Sequence, residues 1–131
     1  MRVNCVGAII VDASDRLLLI KRGHPPGAGL WSIPGGRVEP AETDADALRR
    51  EVLEETGLLV TVGPLVGTVD RPGPDGVTYE IRDYRATVTD GTLAAGDDAA
   101  DARWCSRDDL ARLVLTDGLL EALTAWDALP A

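Results

Sequence analysis

Long apolar runs, basic clusters and paired cysteines are what this sequence lacks. No uninterrupted apolar stretch comes near the roughly 20 residues that cross a bilayer, so no membrane span is expected. The first residues show no basic segment leading into a long apolar one, so no signal peptide is read. Cys5 and Cys105 are far apart and form no CxxC pair, which leaves two free thiols and a reducing, cytoplasmic setting as the expectation. Basic residues number 13 against 22 acidic ones, for a net charge of −9. That balance excludes a nucleic-acid partner held by its backbone, which needs a basic stripe. Small phosphorylated ligands stay open, because a bound cation inverts the local field. Side-chain amides are nearly missing, with Asn4 alone and no glutamine. No repeat, linker or low-complexity tract breaks the chain. What is present is ordinary: 131 residues, 45% hydrophobic and 27% charged, enough for one domain over 1–131 with a real core.

The chain reads as strands alternating with helices. Val3 to Val11 is apolar with a glycine break, a central strand, and residues 12–15 turn it. Leu17-Leu18-Leu19-Ile20 forms a buried strand with a basic end at Lys21 and Arg22. Residues 23–29 are a loop around His24-Pro25-Pro26-Gly27, which leaves His24 exposed. Trp31 to Ile33 is a short strand. A glycine-rich turn leads to a helix capped by Thr43 and ended by Gly57. Strands follow over residues 58–69, interrupted at Gly63-Pro64, and 77–88, with a turn over 71–76 between them. An acidic loop spans 96–101. Residues 102–105 form a short strand, Ser106 caps a short helix, and a last helix runs from Thr116 to about Leu129. The order predicts an α/β fold with a mixed sheet between helices, an α/β/α sandwich.

The helix between Thr43 and Gly57 carries the chemistry. At about 100° per residue, Ala41, Ala45, Leu48 and Val52 fall within an arc of about 60°, a stripe for the core. Glu51, Glu54 and Glu55, at offsets 0, 3 and 4, share an adjoining sector centred about 100° away. Three like charges there weaken an isolated helix by roughly 0.2–0.5 kcal/mol per pair. A hard cation between them reverses the sign. Mg²⁺ suits such a set, since it takes a few carboxylates and completes its shell with water and substrate phosphates. Arg50 is four residues from both Asp46 and Glu54, so ion pairs to each are expected. Leu53 falls outside the stripe.

The run from Gly36 to Leu58 resembles a Nudix box. Gly36 is followed after five residues by Glu42 and after seven more by Arg50-Glu51. Then come the aliphatic Val52, any residue, Glu54-Glu55, any residue, Gly57 and the aliphatic Leu58. Leu30-Trp31-Ser32-Ile33-Pro34-Gly35 resembles the usual entry to the box. The chain is thus identified as a member of the Nudix hydrolase family, of the MutT or ADP-ribose pyrophosphatase kind.

That resemblance implies the same α/β/α sandwich and a Mg²⁺-dependent pyrophosphohydrolase, with Mn²⁺ as the possible substitute ion. Glu51, Glu54 and Glu55 match the metal-binding acids, and the Gly35 carbonyl matches a further ligand. Glu51 is the first choice as base for the attacking water, with Glu54 second; Arg50 and Glu42 orient the acids. A loop acid outside the box serves some relatives, and Asp98 is the candidate here, with Asp97 and Asp101 behind it. Lys21 and Arg22 are candidates for substrate phosphates. Trp31 and Trp104 are core or cleft wall, with Trp31 a candidate for substrate contact. Tyr79 and Tyr84, five apart on one strand, face opposite sides, and Tyr79 is a candidate for stacking on substrate.

Pro72, fifteen residues after Gly57, resembles a proline common in the ADP-ribose branch and favours ADP-ribose or a similar nucleotide sugar. The alternative is a nucleoside triphosphate of the MutT kind. In that branch one mode of base reading uses a late asparagine; here Thr116 and Asp117 stand in the corresponding region. A non-catalytic nucleotide sensor is the distant third, disfavoured by the complete set of acids. The resemblance also leaves a homodimer open.

Overall fold

The computed structural model describes residues 1–25, 27–96 and 99–131. Strand β1 (Arg2–Ile10) runs parallel to β6 (Thr78–Gly91), and β4 (Gly35–Arg37) and β5 (Leu58–Pro72) flank them antiparallel, in the order β4-β1-β6-β5. A second, antiparallel sheet has the order β3-β2-β7, from Trp31–Ser32, Leu17–Arg22 and Ala99–Cys105. Helices α1 (Asp44–Thr56), α2 (Arg107–Arg112) and α3 (Leu119–Ala125) complete the fold. The expected mixed sheet with helices is observed.

Alternation along β1 and β2 explains the layers, since successive strand side chains point to opposite faces. Val6, Ala8 and Ile10 of β1, with Leu18 of β2, enter one core with Ala47, Leu48 and Val52 of α1. Ile9, with Leu17 and Leu19, enters the other, against Leu110 of α2 and Leu119 and Leu123 of α3. Both strands are buried on two faces, which is why they read as continuous apolar runs.

Helix α1 begins as the sequence reading has it. The Thr43 hydroxyl accepts from Asp46 N–H, and the Asp46 carboxylate accepts from Thr43 N–H, a reciprocal cap. Its buried stripe differs in part. Ala41 lies before the helix and is exposed, and Ala47 joins Leu48 and Val52 instead. Leu53 is 48% exposed, as its position off the stripe requires.

Several boundaries also differ. Strand β7 starts at Ala99, within the segment expected to be an acidic loop, because pairing with Lys21 and Arg22 of β2 extends it. Gly35 to Arg37 is a strand, pairing Gly7↔Gly35, Val6↔Gly36 and Cys5↔Arg37. Its two glycines have no strand preference of their own, and the pairing is imposed by the sheet. Strand β5 continues through Gly63-Pro64 because it pairs only with β6, and an edge tolerates proline. Register shifts between Val62, Leu65 and Gly67 absorb the interruption as bulges. Helix α3 starts at Leu119, not Thr116, because Gly118 sits in the left-handed region at φ 81°. It ends at Ala125, and Asp127 beyond it also has a positive φ of 52°.

Candidate active site

Arg50 is the hub of the acidic face of α1. Its Nε and Nη2 donate to the two oxygens of Glu42 at 2.8 and 2.9 Å, a bidentate pair. Its Nη1 donates to Glu51 Oε1 at 2.8 Å and, more weakly, to Glu54 Oε2 at 3.4 Å. Nη2 also donates to the Arg37 carbonyl at 3.0 Å, tying the helix to β4. The expected pair with Glu54 is therefore present, but the one with Asp46 is not. Asp46 turns back to cap Thr43 and pairs with Arg49 at 2.9 Å.

The carboxylates of this site are held in opposite conditions. Arg50, with the Glu39 N–H, pulls Glu42 down to about 2. Burial pushes Glu55 up to about 8, even though it accepts from Gly35 N–H at 2.9 Å. Burial raises Glu51 as well, against the pull of Arg50. Glu54 is the most open of the three, with 43% of its side chain exposed. The close approach of β4 needs Gly36: a Cβ there would stand 2.6 Å from the Glu51 carboxyl.

These residues fit a hard divalent cation by donor chemistry. The carboxylates are oxygen donors, burial raises the pKa of both Glu51 and Glu55, and Arg50 Nη1 already serves as a positive charge bridging Glu51 and Glu54. As arranged, no three acids, histidines or cysteines among the described residues converge closely enough to hold a metal.

Beside the acids lies a cavity of about 540 Å³. Gly35 and Gly36 border it and also touch Glu55 and Glu51, so cavity and acids share a wall. Its charged lining is Arg22, Arg37, Arg71, Asp83 and Asp117. Three guanidiniums there invert the net negative charge of the chain locally. Arg37 lies 5.6 Å over the Tyr79 ring and donates to its hydroxyl at 3.2 Å. Asp83 is only 4% exposed, and burial pushes its carboxyl up to about 7, with Arg71 pulling the other way.

The sequence-derived candidates divide cleanly. Gly35, Glu42, Arg50, Glu51, Glu54 and Glu55 come together. Arg22 and Tyr79 border the cavity. Lys21 stands on β2 opposite Trp31 and Asp101, away from the cavity lining. Trp31 is buried in the core with Arg103 5.6 Å from its ring centre. Asp97 and Asp98 lie outside the described residues, while Asp101 is exposed and accepts from the next backbone N–H, that of Ala102. Tyr84 faces α1 and donates to Asp44, opposite to Tyr79 as expected. Arg37, Arg71 and Asp83 were missed. For Asp83 a signal existed: Tyr79, Ile81 and Asp83 share one strand face, and a charge in register with apolar neighbours is out of place there.

The comparisons agree with this geometry. The NUDIX domain model matches residues 1–126. The ADP-ribose pyrophosphatase of Methanocaldococcus jannaschii is 38% identical over 105 residues, covering 79% of this chain. The chain spans only 62% of the length of that relative. The CTP pyrophosphohydrolase of Escherichia coli is 33% identical over 132 residues, covering 100% of this chain and 96% of that one. The crystal structure of a MutT NUDIX hydrolase from Burkholderia pseudomallei superposes with a TM-score of 0.84 at 31% identity, over 95% of this chain and 97% of the other. With the box acids, the fold and the family model in agreement, the chain belongs to the NUDIX family.

Proposed function

We propose that this Nudix pyrophosphohydrolase cleaves the pyrophosphate bridge of a nucleoside triphosphate, with the nucleoside in the cavity and the phosphates over Gly35-Gly36. One observation carries the reading: the cavity and the α1 acids share that glycine wall. Water attacks one phosphorus of the bridge, its proton passes to a carboxylate, and the bridging oxygen leaves on the other phosphate, giving a nucleoside monophosphate and pyrophosphate. Glu51 is the first choice as acceptor, being half-buried and raised in pKa; Glu54 is second. Arg50 and Glu42 hold the acids in place. Glu51, Glu54, Glu55 and the Gly35 carbonyl would hold Mg²⁺, whose contribution is to neutralise phosphate charge. Arg22, Arg37 and Arg71 receive the rest of the substrate.

The triphosphate is preferred because the E. coli CTP pyrophosphohydrolase aligns along nearly the full length of both chains, and because two acids, Asp83 and Asp117, line the cavity where a base edge would sit. ADP-ribose is the second reading, favoured by Pro72 at the cavity wall and by the archaeal relative. A free nucleotide, not a nucleic acid, is the substrate expected of a chain at −9. A cytoplasmic setting accords with two buried, free cysteines, and no helix among the described residues is long and apolar enough to cross a membrane.

The test is product analysis with Mg²⁺ on nucleoside triphosphates and on ADP-ribose, for the wild type and Glu54→Gln. A nucleoside monophosphate with pyrophosphate, lost in the variant, is the expected result. AMP from ADP-ribose alone would move the protein to the second reading, and turnover of neither would sink both.

A further inference from the structure

One acidic group of the cavity has no work in the hydrolysis. Asp83 on β6 pairs in register with Gly7 of β1 and Gly67 of β5. Both neighbours lack a side chain, and the two gaps are used differently. The Trp126 ring lies against Gly67, where a Cβ would stand 2.1 Å from it. The Asp83 carboxyl lies against Gly7, where a Cβ would stand 2.2 Å from Oδ1. Asp83 is 4% exposed, borders the cavity, and its Oδ1 meets no hydrogen-bond partner among the described residues. No ion pair among the described residues reaches it either, and Arg71 acts on it only through its charge. Buried carboxylates elsewhere in the site are bonded, as Glu55 is to Gly35 N–H. A buried acid left unpaired in a binding cavity is unfavourable unless a ligand supplies the donors.

We propose that Asp83 is a specificity-determining residue that reads the base, selecting a nucleobase whose pairing edge carries an exocyclic amino group. This rests on the nucleoside occupying the cavity, as above. An ionised carboxyl is acceptor-only, so it needs N–H donors. Guanine presents a ring N–H and an amino group side by side, two donors on one edge. Cytosine and adenine present one amino group. Uracil and thymine present a single N–H between two carbonyl oxygens, which a carboxylate repels. The burial that holds the Asp83 carboxyl near 7 when alone is relieved by such donors. The expected order is guanine first, cytosine and adenine next, uracil and thymine last, with guanine and uracil separated on the order of ten-fold or more. Asparagine at this position offers a donor as well as an acceptor, and so accepts the carbonyl edge.

The experiment compares the guanosine, cytidine and uridine triphosphates for the wild type, Asp83→Asn and Asp83→Ser, folding being checked by thermal melting. Equilibrium binding of the three α,β-methylene analogues is measured alongside turnover. The expected result is a guanosine-over-uridine preference of about ten-fold in the wild type that falls toward one in both variants. Turnover with a base ranking that is flat, or that survives in Asp83→Asn, overturns the role of Asp83 while the hydrolase reading stands. Selective analogue binding without turnover keeps Asp83 as the reader and overturns the reaction. Neither binding nor turnover overturns both.

Discussion

The acidic face of α1 and the floor of the cavity meet at Gly35-Gly36 and are built on opposite terms. On α1 the acids come from five consecutive residues of one element, and a single arginine joins Glu51 and Glu54 to Glu42. In the cavity, Arg22, Arg37, Arg71, Asp83 and Asp117 come from separate parts of the chain, and no ion pair links any two of them among those described. The acids accept hydrogen bonds from within the protein, Glu42, Glu51 and Glu54 from Arg50 and Glu55 from Gly35 N–H. Among the cavity groups, Asp83 Oδ1 is buried with no hydrogen-bond partner among the described residues. The comparison teaches where each task resides: the cleavage chemistry is local in sequence, while selection of the substrate is assembled by the fold.

The largest way to break this comparison is at the acids. Glu51→Gln or Glu54→Gln should cut kcat by about 10² to 10⁴, with the melting temperature little changed; steady-state assays beside thermal melts check it. Added Mg²⁺ should raise the melting temperature of the wild type through linkage, and less so in either variant.

On the cavity side, the next largest effect is on stability. Folded Asp83 keeps its proton up to about 7, whereas its ordinary value is 3.8. Between those values the folded state binds more protons, so stability falls as pH rises and remains low above 7. Asp83→Asn removes that dependence. At pH 8 the variant should be more stable than the wild type by up to about 4 kcal/mol, and the gain should vanish near pH 3. Denaturant titrations at the two pH values measure it. A gain of similar size at both would contradict the burial argument.

A third contrast lies within α1. Leu48 is fully buried and Leu53 is 48% exposed. Leu48→Ala should cost about 2–5 kcal/mol of stability, and Leu53→Ala less than about 0.5 kcal/mol. Equal costs would mean that the exposed face of the helix is covered in solution.

How much of this was legible beforehand follows the same division. Helix α1, its Thr43 cap, its end at Gly57 and its acids could be read directly, because period, caps and carboxylate spacing all act within one helix. Strands β1 and β2 could be read from apolar runs. Strand β4 could not, because Gly35 and Gly36 have no propensity that announces a strand. The unbroken course of β5 was hidden by Gly63-Pro64, which mark an interruption locally but a bulge once β6 is beside them. The start of α3 was missed because Gly118 sits inside an otherwise helical pattern. Of the cavity, Tyr79 and Arg22 were legible from position, but Arg37, Arg71 and Asp83 converge only through the pairing of β1 with β4 and β6 and of β6 with β5.

The division of labour is tested most directly by the steady-state kcat and KM of Glu54→Gln and Arg37→Ala on one nucleoside triphosphate with Mg²⁺. Arg37 borders the cavity and is stacked on Tyr79, so its loss should raise KM on the order of ten-fold with kcat nearly unchanged. Glu54→Gln should do the reverse, losing kcat by about 10² or more. A collapse of kcat in Arg37→Ala, or full turnover in Glu54→Gln, would contradict the assignment of binding to the cavity and cleavage to the acids of α1.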